Sequence, residues 1–135
     1  MADDDILLIE DDAILAMGLQ TYLNFEGYQV HTAANGKEGL SICKNQKPGL
    51  VISDVVMGIM DGLSFLRELR SLPGGKEVPV IMISGHTNQK VVDESKHLGV
   101  VDFISKPFEM SHLIKSVRMW VQPQTSNSPI AEKSR

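Results

Sequence analysis

Glu10, Asp11 and Asp12 stand in one run, Asp54 follows a short apolar cluster much further along, and Ser84 and Lys106 follow two more such clusters. A carboxylate accepts a phosphoryl group as an acyl phosphate, which makes Asp54 a candidate nucleophile. Two like charges about 4 Å apart repel by about 4 kcal/mol at an effective dielectric of 20, so carboxylates gathered in one cleft need a counter-charge. With oxygen donors only, and no His or Cys beside them, a hard divalent cation such as Mg2+ or Mn2+ suits them better than zinc. A lysine and a hydroxyl around that centre complete a set for phosphoryl transfer, in which charge spreads over three equatorial oxygens. Each residue also has a structural reading. The acids can serve the first turn of a helix through its dipole, Ser84-Gly85 can be a turn, and Lys106 can be a solvated surface lysine.

A parallel sheet would bring these residues together. Ile6–Ile9, Leu50–Ile52 and Val80–Ile83 are short unbroken apolar runs, as in strands covered on both faces. Tyr28–Thr32 alternates apolar with polar, and Val100–Ile104 carries Asp102 in its middle, so both suit sheet edges. Helical spacing fills the intervals. Leu15, Leu19 and Leu23, with Ile14 and Tyr22, mark a first helix that stops at Gly27. Asp61 caps a third, carrying Phe65, Leu66, Leu69 and Leu72 and closed by Pro73-Gly74-Gly75. Met110, Leu113, Ile114, Val117 and Val121 mark a fifth. The helix around Gln89–Leu98 has the thinnest stripe, Val91, Val92 and Leu98, and is expected to be the least firmly docked.

Five β-α repeats predict an α/β domain with helices on both faces of an open parallel sheet in the order 2-1-3-4-5. Ligands bind such sheets beyond the carboxyl ends of strands 1 and 3, where the acids converge, with Ser84 and Lys106 at the neighbouring strand ends.

At 135 residues the chain is expected to form one domain over residues 1–121. The Ser- and Pro-rich residues 122–135 read as a flexible tail or linker. A net charge of −4 argues against nucleic-acid binding by bulk charge. No apolar run approaches the roughly 18 residues that span a bilayer. The acidic start at Asp3-Asp4-Asp5 is unlike a signal peptide, so the expected location is cytoplasmic, without membrane contact. Cys43 is alone, excluding an internal disulfide and a thiolate metal site, and reads as a small apolar residue beside Leu40. Gly75-Lys76-Glu77 fails as a phosphate-binding loop, no GxGxxG follows the first strand, and three acids would repel the phosphate of a bound FMN.

Taken in order, Leu7-Leu8-Ile9-Glu10-Asp11-Asp12, Asp54 through Gly62, Ser84-Gly85 and Lys106-Pro107-Phe108 resemble the receiver domain of two-component response regulators, over about Asp5 to Val121. The resemblance implies a flavodoxin-like (βα)5 three-layer sandwich that works as a phosphorylation switch rather than as an enzyme turning over a separate substrate. Asp54 would take a phosphoryl group from a sensor histidine kinase or a histidine phosphotransfer protein. Asp12 and Asp54 would hold Mg2+ directly with the Val56 carbonyl, Asp11 acting partly through water. Lys106 would pair with the phosphate. Ser84 would swing to bond a phosphoryl oxygen while Phe103 moves inward, changing the surface carried by the fourth helix, fifth strand and fifth helix. A downstream protein, an excised output domain or a second copy would read that surface. Val56 and His86 fall at positions that tune dephosphorylation. The chain departs from the family pattern at Gly58 for proline, Gly85 for alanine and Phe103 for tyrosine, none of which removes a catalytic group. Lys106-Pro107 resembles the family's cis peptide.

Two competing readings remain at this point. A metal-dependent phosphatase with an aspartyl-phosphate intermediate would want a second acid two residues beyond Asp54, where Val56 stands. A phosphorylation-independent interaction module would have no use for Asp11, Asp12, Asp54, Ser84 and Lys106 together.

Overall fold

The computed structural model of the chain describes residues 2, 4–56, 58, 60–85 and 88–121. His86 and the expected tail lie outside the described residues. Strands β1 (Ile6–Ile9), β2 (Val30–Ala33), β3 (Leu50–Asp54), β4 (Val80–Ser84) and β5 (Asp102–Ser105) alternate with helices. These are α1 (Ala13–Phe25), α2 (Gly36–Asn45), α3 (Gly62–Ser71), α4 (Gln89–His97) and α5 (Met110–Trp120). All strand pairs are parallel and the sheet order is β2-β1-β3-β4-β5, as expected.

Successive side chains of a strand face opposite ways, so the three central strands feed two cores. Ile6, Leu8, Ile52, Ile81 and Ile83 meet Leu19 and Leu23 of α1 and Leu113, Ile114 and Val117 of α5. Leu7, Ile9, Val51, Val80 and Met82 meet Leu40 of α2 and Phe65, Leu66 and Leu69 of α3, with Val91 and Leu98 at the margin. The predicted stripe of α1 is narrower than its apolar content suggests. Ala16, Leu19 and Leu23 are buried, but Ile14 is 84% exposed.

Both edge strands begin two residues later than the apolar pattern suggests, for one shared reason. Each preceding helix ends in a Schellman turn, in which the second residue past the cap spends its N–H on the helix. Gly27, at φ +101°, precedes Tyr28, whose N–H bonds the Leu23 carbonyl. Gly99, at φ +82°, precedes Val100, whose N–H bonds the Ser95 carbonyl. Tyr28 and Val100 therefore close helices instead of opening strands. Asp61 caps α3 as predicted, its Oδ1 accepting the Ser64 N–H at 2.7 Å. Among the described residues no helix is long and apolar enough to cross a membrane.

Candidate functional site

Parallel register brings the carboxyl ends of β1, β3, β4 and β5 to one rim of the sheet. Ile9 pairs with Ser53, Asp54 with Ile83, and Ser84 with Ser105, so Glu10, Asp54, Ser84 and Lys106 sit at or one residue past neighbouring strand ends. Lys106 Nζ lies 2.7 Å from Asp54 Oδ2 and 3.8 Å from Glu10 Oε1. Two residues 52 apart in sequence thus form one charge pair, and both acids are buried. The Lys106 N–H bonds the Ser84 carbonyl at 2.8 Å, and the Lys106-Pro107 peptide is cis.

Backbone donors hold the acids from below. Val56 N–H donates to Asp54 Oδ1 at 3.2 Å, and Asp12 N–H to Glu10 Oε2 at 3.1 Å. The start of α3 presses against the peptide of Asp54 itself. Gly62 N–H bonds the Val55 carbonyl at 2.7 Å, and a Cβ at Gly62 would lie 2.3 Å from the Asp54 carbonyl oxygen, so only glycine allows this approach. Gly85 is the opposite case: a methyl there would meet Lys106 Cβ at an ordinary 3.8 Å.

The electrostatics of the rim are those of acids in excess. Burial pushes the Glu10 carboxyl up to about 7, with the Asp54 charge and the neighbouring Asp11 carboxyl adding to it and the Asp12 N–H opposing. Burial alone would lower Lys106, but the Asp54 hydrogen bond, with the charges of Asp54, Glu10 and Asp11, holds the ammonium above its ordinary value.

The expected ligand Asp12 also has a structural task. Its Oδ1 accepts the Ile14 and Leu15 N–H groups at 3.0 and 3.1 Å, capping α1, and it is exposed. Glu10 is the buried acid of the run, beside Lys106. The signal for this cap was present in the sequence, since an Asp immediately before Ala13-Ile14-Leu15 is an N-cap pattern. Ser84 is fully buried at the end of β4, Phe103 is half-buried against the α2-α3 core, and Val56 is 56% exposed. Among the described residues no three His, Cys, Asp or Glu side chains stand together as a metal cluster.

Residues 6–118 match the response regulator receiver domain family. The chain is 30% identical over 127 residues to sporulation initiation phosphotransferase F of Bacillus subtilis, covering 94% of this chain and 100% of that one. It is 30% identical over 129 residues to the probable transcriptional regulator ycf29 of Porphyra purpurea, spanning 96% of this chain but 62% of that protein's length. It likewise spans 53% of ycf27 of Porphyridium aerugineum. The fold superimposes on the chemotaxis protein CheY4 of Vibrio cholerae with TM-score 0.82 at 28% identity, covering 89% of this chain and 100% of that one. It superimposes with TM-score 0.80, at 27% identity and over 88% of this chain and 98% of the other, on the receiver domain of the sensor histidine kinase PA1611 of Pseudomonas aeruginosa, which was crystallised with magnesium coordinated in its active-site cleft. With an acid-rich rim at the sheet's switch point, a buried aspartate held by a lysine from the last strand, and a match over nearly the whole described chain, this protein belongs to the response regulator receiver domains.

Proposed function

We propose that Asp54 is the phosphoacceptor of a two-component signalling switch, taking its phosphoryl group from the phosphohistidine of a sensor kinase or phosphotransfer protein. The observation that carries this is the buried Lys106–Asp54 contact beside buried Glu10. In the transfer, an Asp54 carboxylate oxygen forms the O–P bond as the N–P bond to the donor histidine breaks, and the histidine nitrogen keeps the electron pair. Lys106 then exchanges its carboxylate partner for a phosphoryl oxygen on the same rim, and buried Ser84, one strand over, offers a hydroxyl to another.

Three carboxyl groups, Glu10, Asp11 and Asp54, face one ammonium, so a divalent cation matches the charge left over. The donors are hard oxygens, which fits Mg2+. Asp12, Asp54 and the Val56 carbonyl would hold it, with Asp11 partly through water, and it would supply the positive charge that lets an anionic phosphoryl group approach an anionic nucleophile. Exposed Val56 carries no group able to act as acid or base on a substrate, which favours the switch over a phosphatase. The outer face of α1 supports a protein donor. The helix has no charged residue, and Ile14 and Met17, in the turns nearest the rim, are 84% and 66% exposed. Incubation with acetyl phosphate and Mg2+, followed by intact mass, should add one phosphoryl group to the chain and none to Asp54→Asn. Equal labelling of the two would overturn the assignment.

A further inference from the structure

Helix α4 is seated in an unusual way. Its single fully buried side chain is Ser95, and the Ser95 hydroxyl has no hydrogen-bond partner among the described residues. A buried hydroxyl left unpaired gives up its hydration without compensation, so it destabilises the arrangement that buries it. Burial at this spot asks for an alanine-sized apolar group, and the chain supplies a polar one.

The opposite force acts on the end of the helix. Arg70, from α3, is half-buried with no carboxylate partner among the described residues, and spends its guanidinium on four backbone carbonyls. Nε bonds Leu98 O at 2.7 Å and Nη2 bonds Gly99 O at 3.1 Å, the two carbonyls at the Schellman turn that ends α4. Nη1 bonds Gly75 O and Val78 O at 2.7 and 2.8 Å, in the segment leading into β4. The planar fork thus ties the α4 terminus to the α3-β4 connection. Arg67 adds an ion pair to Glu94, mid-helix but partly exposed.

We propose that α4 is a helix pinned at its C-terminal corner by Arg70 and deliberately loosened along its body by Ser95, so that these two residues set how readily it leaves its resting seat. Neither contacts the phosphoacceptor rim. The regulatory consequence rests on the phosphorylation reading above: Ser95 lowers the barrier to a rearranged α4, and Arg70 keeps that rearrangement local by fixing the corner from which β5 and Lys106 follow.

The test is hydrogen–deuterium exchange on the unphosphorylated full chain. Ser95→Ala should slow exchange of amides 91–98 about tenfold while leaving α1 and α2 unchanged. Unchanged or faster exchange there, or equal slowing across the whole sheet, would overturn the proposal. Arg70→Lys retains the charge but not the fork, and should speed exchange at residues 98–101 in preference to α3. If α3 and the corner accelerate together, Arg70 is a general stabiliser and the pin fails. After treatment with acetyl phosphate and Mg2+, the gain in α4 exchange should be smaller in Ser95→Ala than in the parent chain. Intact mass of the same samples separates the two readings: absence of a phosphoryl adduct defeats the function proposed for Asp54, whereas the resting-state exchange judges the α4 device by itself.

Discussion

Helices α3 and α4 lie side by side on one face of the sheet and are started in the same way, yet they are held very differently. Asp61 accepts the Ser64 N–H at 2.7 Å, and Asn88 accepts the Val91 N–H at 2.9 Å, so both have a well-formed N-cap. α3 then buries Gly62, Phe65, Leu66 and Leu69, whereas α4 buries Ser95 alone. The difference lies in packing, not in helix formation. α3 must be rigid because Gly62 presses on the Asp54 peptide, so any slip there would displace Asp54. α4 carries no such duty and retains little apolar area to hold it down.

The largest effect expected from this contrast is in stability. Phe65→Ala should lose about 3–5 kcal/mol in urea unfolding, as for a large core side chain removed from a close-packed site. Val91→Ala, half-buried at the margin of the same core, should lose about 1 kcal/mol. Comparable losses would erase the distinction between the two helices.

A second contrast lies on the rim, between the acid that caps and the acid that is buried. Asp12→Ala should lose about 1 kcal/mol of stability as a broken N-cap. Asp12→Asn, which can still accept the Ile14 and Leu15 N–H groups, should keep stability but lose most of the Mg2+-dependent labelling of Asp54. Full labelling in Asp12→Asn would remove Asp12 from the ligand set.

Glu10 should show itself through pH. Its folded-state value of about 7 exceeds its ordinary 4.5, so between those values the folded chain holds more of a proton than the unfolded one. Without divalent metal, its contribution to stability therefore declines as pH rises from about 4.5 to about 7 and is level above. Glu10→Gln lacks that loss, so the variant's advantage in urea unfolding should be greater at pH 8 than at pH 5. An advantage independent of pH would mean that the Glu10 carboxyl is not displaced. The smallest effect concerns Val56, whose apolar side chain cannot orient an attacking water. The acyl phosphate should outlast that of Val56→Asn when both are followed by intact mass, and equal lifetimes would refute the role.

The fold was legible because it rests on gross apolar pattern: three unbroken runs and two diluted ones are enough to order a parallel sheet. Asp54, Ser84 and Lys106 were legible for the same reason, since the topology fixes where strand ends go. The sequence pattern misassigned what depends on a single hydrogen bond. Tyr28 and Val100 look like strand residues until their N–H groups are given to Schellman turns. Ser95 and Arg70 were invisible as a pair, because the roles of an unpaired hydroxyl and a carbonyl-bound guanidinium are set by tertiary neighbours and not by spacing.

The central claim is that Asp54 itself forms the acyl phosphate. Borohydride reduction of the chain after treatment with acetyl phosphate and Mg2+, followed by peptide sequencing, converts a phosphorylated aspartate to homoserine. Homoserine at position 54, absent without the phosphodonor, is the predicted result. Homoserine at another acid, with Asp54 recovered intact, would contradict it.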